Sequence, residues 1–313
     1  MNNKVIYTTI FEDYDNLIKP DVILNDWDYI CFTESNLKSK IWEVKKINRL
    51  YNDPKKENAF YKLLPHRFLS EYEYSIYIDG NILIRGNINE LINNYLINNN
   101  IAMLNHEFTK NDNRNCIYDE AKAILSANKK DFLDDPQIIH NQMNKYKLDK
   151  YPANNGLICG GEIIRRHNEK DVVETMEYWW SEVKNGSRRD QLSFNYSAWK
   201  TNLSFSWINV DVRDNKYFLL KGKHKRSKLT KLISKINFPL NLDEKKKLNL
   251  KRSEPVTNLN KSTYSKLVKS AKKYIANGDI IQVVLSQRIA KETFANPLDI
   301  YTALRSINPS PYM

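Results

Sequence analysis

Short apolar stretches alternate with segments of helical periodicity along most of the chain. Runs of apolar and β-branched residues predict strands over 4–9, 28–33, 74–79, 101–106, 156–166 and 205–212. The run over 156–166 fits either a strand pair or one bent strand. Apolar residues at three- and four-residue spacing predict helices over 57–69, 88–96, 116–129, 171–183 and 190–200. This alternation is typical of an α/β fold with a mostly parallel sheet, whose binding sites lie at the carboxyl ends of the strands.

The pattern changes after the last of these strands. Residues 222–260 are basic, polar and poorly periodic, which is typical of a linker. Beyond them the pattern predicts a helix over 263–276 with Gly278 placed to end it, a strand over 280–292 and a helix over 297–307. We therefore expect a domain over 1–226, a basic linker over 227–260, and a short helix–strand–helix fragment over 261–313.

The formal net charge of +12 indicates either solvated lysine-rich faces or attraction to phosphates. The lysines are dispersed until about residue 221 and crowd only in KGKHKRSKLTKLISK (221–235). We favour solvated faces, expect no nucleic-acid partner, and leave peripheral membrane contact through residues 221–235 open.

The cysteine count and the lengths of the apolar runs limit the cellular compartments in which the protein is expected. Three cysteines without CxxC spacing indicate neither a disulfide framework nor a zinc site. The opening MNNKVIYTTI does not resemble a signal peptide, and no apolar run is long enough to span a bilayer. We expect a cytoplasmic protein, with the membrane periphery as the alternative location.

The octet YIDGNILI (77–84) places two oxygen-bearing side chains directly after an apolar strand. Its glycine turn separates Asp79 from Asn81 by a single residue. Such a pair at a strand end can bind one hard divalent cation, and that cation can bridge a diphosphate. An ordinary Asp-Gly-Asn turn explains the octet equally simply, so its context has to decide.

Several segments, in the expected order, resemble motifs of the retaining GT-A glycosyltransferases, the family that includes glycogenin and bacterial lipopolysaccharide galactosyltransferases. YIDGNILI is similar to that family's YLDADILV-like segment, and FYKLLP (60–65) resembles its donor-binding helix, with Lys62 at an arginine position. NNGLI (154–158) resembles the Asn-x-Gly motif of the acceptor region, and RDQLSFNY (189–196) resembles the Asp-Gln motif. KGKH (221–224) supplies His224 where that family uses a metal ligand.

A denser resemblance covers about residues 3–226. YTTIFEDYDNL, DWDYICFTES, KLLPH, YEYSIYIDGNI, IYDEA, RRHN and RDQLSF are similar to a glycosyltransferase-like domain of plants and bacteria that is linked by name to mucilage and turgor proteins. The resemblance implies a GT-A-like (Rossmann-like) domain that binds a nucleotide sugar, with a UDP-sugar expected. It also implies a glycan or a lipid-linked acceptor.

The resemblance implies roles for particular positions. The expected donor-binding residues are Thr8, Thr9, Lys62, Asp79 and Asn155, and the expected ligands of Mn²⁺ or Mg²⁺ are Asp79, Asn81 and His224. Lys221 and Lys223 are further candidates for the diphosphate. The threonines end the first strand and are expected at the base or ribose. Since an asparagine offers only a neutral carbonyl ligand, Asn81 should bind the metal more weakly than an aspartate.

Asp190 and Gln191 are the expected catalytic residues. In the retaining family these positions face the sugar, so Asp190 would orient its hydroxyls and Gln191 would line the reacting face. Both residues open a predicted helix, where an acidic side chain is favoured by the helix dipole. An ordinary helix N-terminal acid is therefore the competing interpretation of Asp190.

The C-terminal part has a different resemblance. SKLVKSAKKYIANGDIIQVVLSQRI and LRSINPSPYM are similar to anthranilate synthase component I, the chorismate-binding enzyme of tryptophan synthesis, over about 246–313. Pro311, Tyr312 and Met313 match part of that family's tryptophan-inhibitor site. The match does not include the catalytic and magnesium-binding residues, so we expect this piece to be inactive alone. A gene fusion, a truncated reading frame and an assembly join all remain open.

Three functions follow from these patterns. The first is a metal-assisted glycosyltransferase that uses a nucleotide sugar. The second is a catalytically idle GT-A binding module, for which the neutral Asn81 is the main support. The third is chorismate chemistry, which rests only on the C-terminal resemblance.

Overall fold

The chain forms two compact units, Met1–Leu229 and Thr230–Met313, in the computed structural model. The structure describes residues 2–12, 14–51, 53–127, 134–222, 256–286 and 289–290. Most of the expected linker, His224, Lys223, the helix over 297–307 and the Pro311–Met313 segment lie outside these residues. The domain boundaries at 226 and 260 therefore stay predictions.

A seven-stranded sheet forms the centre of the first unit. Its strands are β1 (Lys4–Ile10), β2 (Asp28–Thr33), β3 (Glu43–Lys46), β4 (Tyr74–Ile78), β6 (Ile101–Asn105), β7 (Ile158–Arg165) and β8 (Ser206–Ile208). They are ordered β3-β2-β1-β4-β7-β6-β8. Only β7 runs antiparallel to its neighbours, β4 and β6, and every other pairing is parallel. The α/β class with a mostly parallel sheet is confirmed.

Two further strands form a small separate sheet in the same unit. β5 (Ile82–Ile84) pairs antiparallel with β9 (Phe218–Leu220). The sequence pattern did not predict these strands or β3, because each is only three or four residues long. The segment over 156–166, which fitted a strand pair or a bent strand, is one strand whose register shifts opposite Met103 and Leu104.

Six helices accompany the sheet in the first unit, as far as the structure describes it. They are α1 (Pro54–Leu63), α2 (Asn89–Tyr95), α3 (Ile117–Ala127), α4 (Pro136–Leu148), α5 (Lys170–Asn185) and α6 (Phe194–Thr201). Within the described residues, no helix has both the length and the apolar character needed to cross a bilayer.

Local chemistry explains where two predicted helices were misplaced. The helix predicted over 57–69 begins at Pro54, because the Asp53 side chain accepts a hydrogen bond from the Lys55 amide and caps it. It ends at Leu63, just before a proline-initiated 3-10 turn over Pro65–Arg67. The helix predicted over 190–200 is divided into a 3-10 turn, Asp190–Leu192, and α6.

α4 was not predicted, although its N-terminus has a recognisable sequence. Asp135 caps it by accepting a hydrogen bond from the Gln137 amide at 2.8 Å, and Pro136 occupies the first helical position.

Successive side chains along the strands point to opposite faces of the central sheet, and an apolar core forms on each face. Val5 and Tyr7 of β1 pack on one face with side chains of α1, α5 and α6. Ile6 and Ile10 pack on the other face with side chains of α2 and the small sheet. The central strands are buried on both faces, as expected for a largely parallel sheet.

The second unit contains α7 (Lys261–Ala276) and a two-residue pairing of β10 (Val256–Thr257) with β11 (Ile289–Ala290). The helix predicted over 263–276 is confirmed, and Gly278 follows it with a φ of +79°. The long strand predicted over 280–292 is found only in part, because residues 280–286 form no strand whereas Ile289–Ala290 form β11. Strand propensity did not decide the local structure of this segment.

Candidate active site at the end of the central sheet

Asp79 follows the carboxyl end of β4, at the edge where a site was expected. The Asp79 amide donates a hydrogen bond to the Gly161 carbonyl at 2.8 Å. Because β7 is antiparallel to β4, the first half of β7 lies beside the end of β4. The Tyr77 hydroxyl donates to Asp79 Oδ1 at 2.8 Å and so fixes the carboxylate.

Lys62 approaches the same edge from the last turn of α1. Its backbone carbonyl accepts hydrogen bonds from the Tyr7 hydroxyl and from Arg165 Nη2, both at 2.6 Å. Arg165 is fully buried, and its positive charge lies favourably at the C-terminal end of α1. These contacts hold the end of α1 against the sheet.

The Lys62 ammonium forms an ion pair with the Asp190 carboxylate and lies 3.8 Å from Asp79 Oδ1. The Lys62 side chain is only 6% exposed. Burial alone would lower the pKa of this ammonium, but the carboxylates of Asp190 and Asp79 outweigh it and raise the pKa. Lys62 therefore supplies a permanent positive charge between two carboxylates.

Two glycines of β7 make this close approach possible. A Cβ added to Gly160 would lie 3.3 Å from both Asp190 carboxylate oxygens and from Lys62 Nζ. A Cβ on Gly161 would lie 3.5 Å from Asp79 Oδ2. Consecutive glycines in a strand interior often mark such a backbone approach, so the CGGE segment carries a sequence signal that the prediction of a strand pair or one bent strand does not use.

The next residue of β7, Glu162, is a buried carboxyl close to this group. It is 2% exposed, and its Oε1 has no hydrogen-bond partner among the described residues. Burial, reinforced by the charge of Asp79 and opposed by Lys62, raises the pKa of Glu162 to about 8. The surroundings of Glu162 thus favour its neutral, protonated form. Sequence patterns did not single it out.

Several buried polar atoms around the site lack a partner among the described residues. They are Asn81 Oδ1, Glu162 Oε1, Arg189 Nε and Gln191 Nε2. Buried polar groups in proteins are nearly always hydrogen-bonded. Such atoms also occur elsewhere in the first unit, but these four belong to the site or to residues next to it in the chain, where a ligand or water can complete them.

Asn81 has an orientation that suits a cation ligand. Its Nδ2 donates to the Gly222 carbonyl at 2.9 Å, while its Oδ1 is buried and unpartnered. Asp79 contributes a carboxylate at the same turn, so the donor set fits a hard divalent cation. Among the described residues no three His, Cys, Asp or Glu side chains group as a metal site, and His224 lies outside them.

Two cations beside the site form no ion pair within 4 Å among the described residues. Neither the Lys55 ammonium nor the Arg189 guanidinium forms a hydrogen bond or an ion pair there. By contrast, Arg188 pairs with Asp53 at 3.2 Å. Burial, together with the charges of Arg189 and Arg188 and against those of Asp53 and Asp134, lowers the pKa of Lys55 to about 8. This positive charge is available for an anionic ligand.

The remaining predicted residues differ in whether the structure places them near the Lys62–Asp190–Asp79 group. Thr9 lies on the site's side of the sheet, with its hydroxyl 3.4 Å from the Tyr77 hydroxyl. Thr8 alternates to the other side, and both threonines are 2% exposed, so the structure does not bring Thr8 to the cluster. Asp190 Oδ1 accepts a hydrogen bond from the Gln191 amide at 2.8 Å, which keeps those two residues together.

Asn155 lies apart from the Lys62 group and lines an open cavity of about 260 Å³. The other lining residues are Asn105, Glu107, Asn115, Asn154, Gly156 and Trp207. Gly156 and Gly160 are four positions apart, so the two Cα atoms are at most about 14 Å apart. Asn105 ends β6 and Gly156 lies just before the start of β7, so the cavity lies at the same edge of the sheet as the Lys62–Asp190 pair.

The C-terminal part of the chain has sequence relatives among the anthranilate synthases. Anthranilate synthase alpha subunit 1 of Oryza sativa subsp. indica is 30% identical over 193 residues, which cover 57% of this chain and 33% of that protein. Anthranilate synthase component 1 of Acetivibrio thermocellus is 58% identical over 57 residues, which cover 18% and 12%. The chain thus spans a third or less of the length of these relatives. The C-terminal resemblance is confirmed.

Two solved glycosyltransferases show a distant structural similarity. The apo structure of the bifunctional glycosyltransferase WbbM matches with a TM-score of 0.38 and 10% identity, covering 65% of this chain and 38% of that one. The mannosyltransferase Ktr4p of S. cerevisiae matches with a TM-score of 0.37 and 10% identity, covering 63% and 65%.

The family comparison covers nearly all of the first unit. The model of the TOD1/MUCI70 glycosyltransferase-like domain matches residues 2–224, which include β1 to β9 and every described residue of the Lys62–Asp190–Asp79 site. The resemblance noted over 3–226 is confirmed. This chain belongs to the TOD1/MUCI70 family of glycosyltransferase-like domains.

Proposed function

We propose that the first unit transfers a sugar from a nucleoside-diphosphate sugar, with a UDP-sugar the expected donor, to a hydroxyl of a glycan or lipid-linked acceptor. The observation that supports this most directly is the buried Lys62–Asp190 ion pair beside Asp79. It combines a fixed cation with two carboxylates at the end of the sheet, in a chain of a glycosyltransferase-like family.

The bonds that change define what the site must supply. The bond between the sugar's anomeric carbon and the phosphate oxygen breaks, and the nucleoside diphosphate leaves with the electron pair. The acceptor oxygen bonds to the same carbon, and its proton passes to the departing diphosphate. The leaving group gains negative charge as it departs, so positive groups aimed at it lower the barrier.

The unpaired cations suit the diphosphate. Lys55 and Arg189 form no ion pair within 4 Å among the described residues, and the charges of Arg189 and Arg188 repel Lys55 more strongly than Asp53 and Asp134 attract it. A bound diphosphate would relieve this repulsion, and arginine in particular matches the geometry of phosphate oxygens. Lys62 is already neutralised by Asp190, so it contributes mainly by holding the carboxylates in place.

Asp190 and Gln191 suit the transferred sugar. A carboxylate accepts hydrogen bonds from sugar hydroxyls, and the unpartnered Gln191 Nε2 can donate one. Trp179 Nε1 donates to the Asp190 carbonyl at 2.8 Å, which anchors this turn to α5. Asp190 is therefore preorganised rather than mobile, as a group that positions a reacting sugar should be.

A divalent cation, Mn²⁺ or Mg²⁺, would be held by Asp79 and Asn81, with His224 as the further ligand implied by the resemblance. When bound, it would supply positive charge to the departing diphosphate.

A thermal-shift screen of UDP-, GDP- and ADP-sugars, each with and without manganese, tests the proposal, because ligands that bind the folded state raise its melting temperature. Donor hydrolysis and transfer are then measured for the donor that stabilises most. Asp190→Asn should lose turnover, whereas Asp171→Asn, an exposed aspartate on α5, should not. Failure of every nucleotide sugar to bind would contradict the proposal.

A catalytically idle binding module is the second candidate, and the neutral Asn81 favours it. Such a module would be stabilised by a nucleotide sugar and would neither hydrolyse nor transfer it. The same screen followed by the turnover assay therefore separates the two functions.

A further inference from the structure

The open cavity beside the site differs from it in charge. Among the described residues that line it, none is cationic, and the only charged one is Glu107. The unpaired cations Lys55 and Arg189 belong instead to α1 and the Asp190 turn. Positive charge and neutral amides thus occupy different parts of this edge of the sheet.

The amide groups of the cavity are available to a ligand. The side chains of Asn115 and Asn154 form no hydrogen bond with described residues, and neither does the Glu107 carboxylate. An amide both donates and accepts, and a carboxylate accepts. This combination suits hydroxyl groups, which also donate and accept. It does not suit a phosphate, which only accepts and is repelled by Glu107.

Trp207 adds an apolar wall. A Cβ on Gly156 would lie 2.7 Å from Cζ2 of this indole, and Gly156 has a φ of +82°, so only glycine fits beside the ring. The amide of Ile158 donates to Asn195 Oδ1 at 3.2 Å, which fixes the segment that follows. The indole wall is therefore a packed part of the fold.

The nearest cation in sequence does not change the charge of the cavity. Arg114 precedes Asn115, but its guanidinium pairs with Asp112 at 2.5 Å and with Glu120 at 2.6 Å. Its charge is neutralised by these two carboxylates.

We infer that this cavity binds a neutral, hydroxyl-rich glycan and presents one of its hydroxyls to the Lys62–Asp190 site. The inference rests on the proposed function for the direction of transfer, and on the cavity alone for the chemistry of the ligand. An indole for the apolar face of a sugar ring and amides for its hydroxyls form a suitable surface. A lipid diphosphate would find no cation among the described residues that line the cavity.

Saturation-transfer NMR with a panel of neutral disaccharides, and with phosphorylated forms of the same sugars, tests the inference. We expect the neutral sugars to bind and the phosphorylated ones to bind more weakly. The double variant Asn115→Ala/Asn154→Ala should lose most of the signal, whereas Asn185→Ala, an exposed asparagine at the end of α5, should retain it. Trp207→Phe, which keeps an aromatic ring, should reduce the signal less than Trp207→Ala.

Nucleotide-sugar binding, measured on the same variants, keeps the two claims separate. Retained nucleotide binding with lost disaccharide binding in the asparagine variant supports the inference. Preferential binding of the phosphorylated sugars, no binding of any neutral one, or an unchanged signal in the asparagine variant overturns it and leaves the proposed function standing. Neutral-glycan binding at the cavity without any nucleotide binding overturns the proposed function and retains the glycan site.

Discussion

Lys62 and Asp190 form an ion pair that joins the end of α1 to the turn before α6, across the edge of the central sheet. Gly160 of β7 lies against both partners. Since Lys62 is almost entirely buried, the free energy of folding and the proposed chemistry depend on the same contact. Separating these two dependences is the first experimental question.

Asp190→Asn should lower both stability and turnover. It leaves the buried Lys62 ammonium with only Asp79 as a more distant partner, and breaking a buried ion pair in this way costs roughly 3 kcal/mol of unfolding free energy. Turnover should fall about 100-fold, the usual cost of removing one preorganised polar group from a site. Urea denaturation and donor hydrolysis measure the two effects.

The double variant Lys62→Met/Asp190→Asn provides the control for that prediction. Removing both charges should recover part of the stability, because no uncompensated buried charge remains. Turnover should not recover with it. Recovery of both would show that the pair has only a structural role.

Asp79→Ala should weaken nucleotide-sugar binding by at least about 10-fold, or 1.4 kcal/mol, without unfolding the domain. Asp79 follows β4 rather than lying within it, and its carboxylate is partly exposed, so its loss removes little packing. Asp79→Asn keeps an acceptor for the Tyr77 hydroxyl and should weaken binding less. Isothermal titration with the stabilising donor gives both affinities, and unchanged values would remove Asp79 from the site.

The affinity for manganese should depend on the side chain at residue 81, the second oxygen-bearing position of the Asp-Gly-Asn turn. Asn81→Asp adds a negative charge where the orphaned Oδ1 lies and should tighten manganese binding. His224→Ala should weaken it if this residue completes the sphere. Titration of the metal into the protein, with and without the nucleotide sugar, measures both. No change in either variant would mean that no cation binds at this turn.

The site could be predicted from the sequence residue by residue, but not as an arrangement. Asp79 could be predicted as a site residue because it follows a clear apolar strand. Lys62 could be predicted because it lies on a helix with clear apolar periodicity. The contact of Lys62 with Asp190 joins α1 to a distant turn across Gly160 of β7, and such a long-range arrangement is not a local property of the sequence. Glu162 was missed for the same reason, because only its position in β7 brings it near Asp79.

The fold shows a similar division. Long periodic segments such as α5 and β1 were predicted within a few residues, since many positions contribute to each pattern. Short strands such as β9 have too few positions for a pattern. The error over 280–286 has another cause. A strand requires partner strands, and β-propensity alone does not supply them.

Acid should destabilise the first unit through His167. Burial lowers the pKa of this histidine to about 4, against the effect of its hydrogen bond to the Leu69 carbonyl at 2.8 Å. Above the ordinary pKa of 6.5 the residue is neutral in both states. As the pH falls from 6.5 towards 4, the unfolded chain binds a proton that the folded chain does not, so stability is lost. The loss is on the order of 3 kcal/mol.

His167→Gln keeps a donor for the Leu69 carbonyl and removes this titration, so unfolding free energy should fall less steeply between pH 6.5 and 4. His140→Gln is the matched control, because His140 is exposed and should leave the pH dependence unchanged. Equilibrium urea denaturation across this pH range gives the slopes. Equal slopes for His167→Gln and the unmodified protein would mean that other groups cause the acid loss.

The second unit should be cleaved by proteases before the first. α7 contains no buried residue, and Ile281 and Val284 are 99% and 82% exposed. A helix whose apolar side chains remain in water gains little from packing, so local opening is inexpensive there. Limited proteolysis followed by mass spectrometry should leave a core that ends between about residues 222 and 260, where the sequence predicts a linker. A protein truncated at residue 229, the boundary of the first unit, should then bind the nucleotide sugar with the affinity of the full chain. Loss of that affinity, or unfolding of the truncated protein, would show that the two units form one integrated fold.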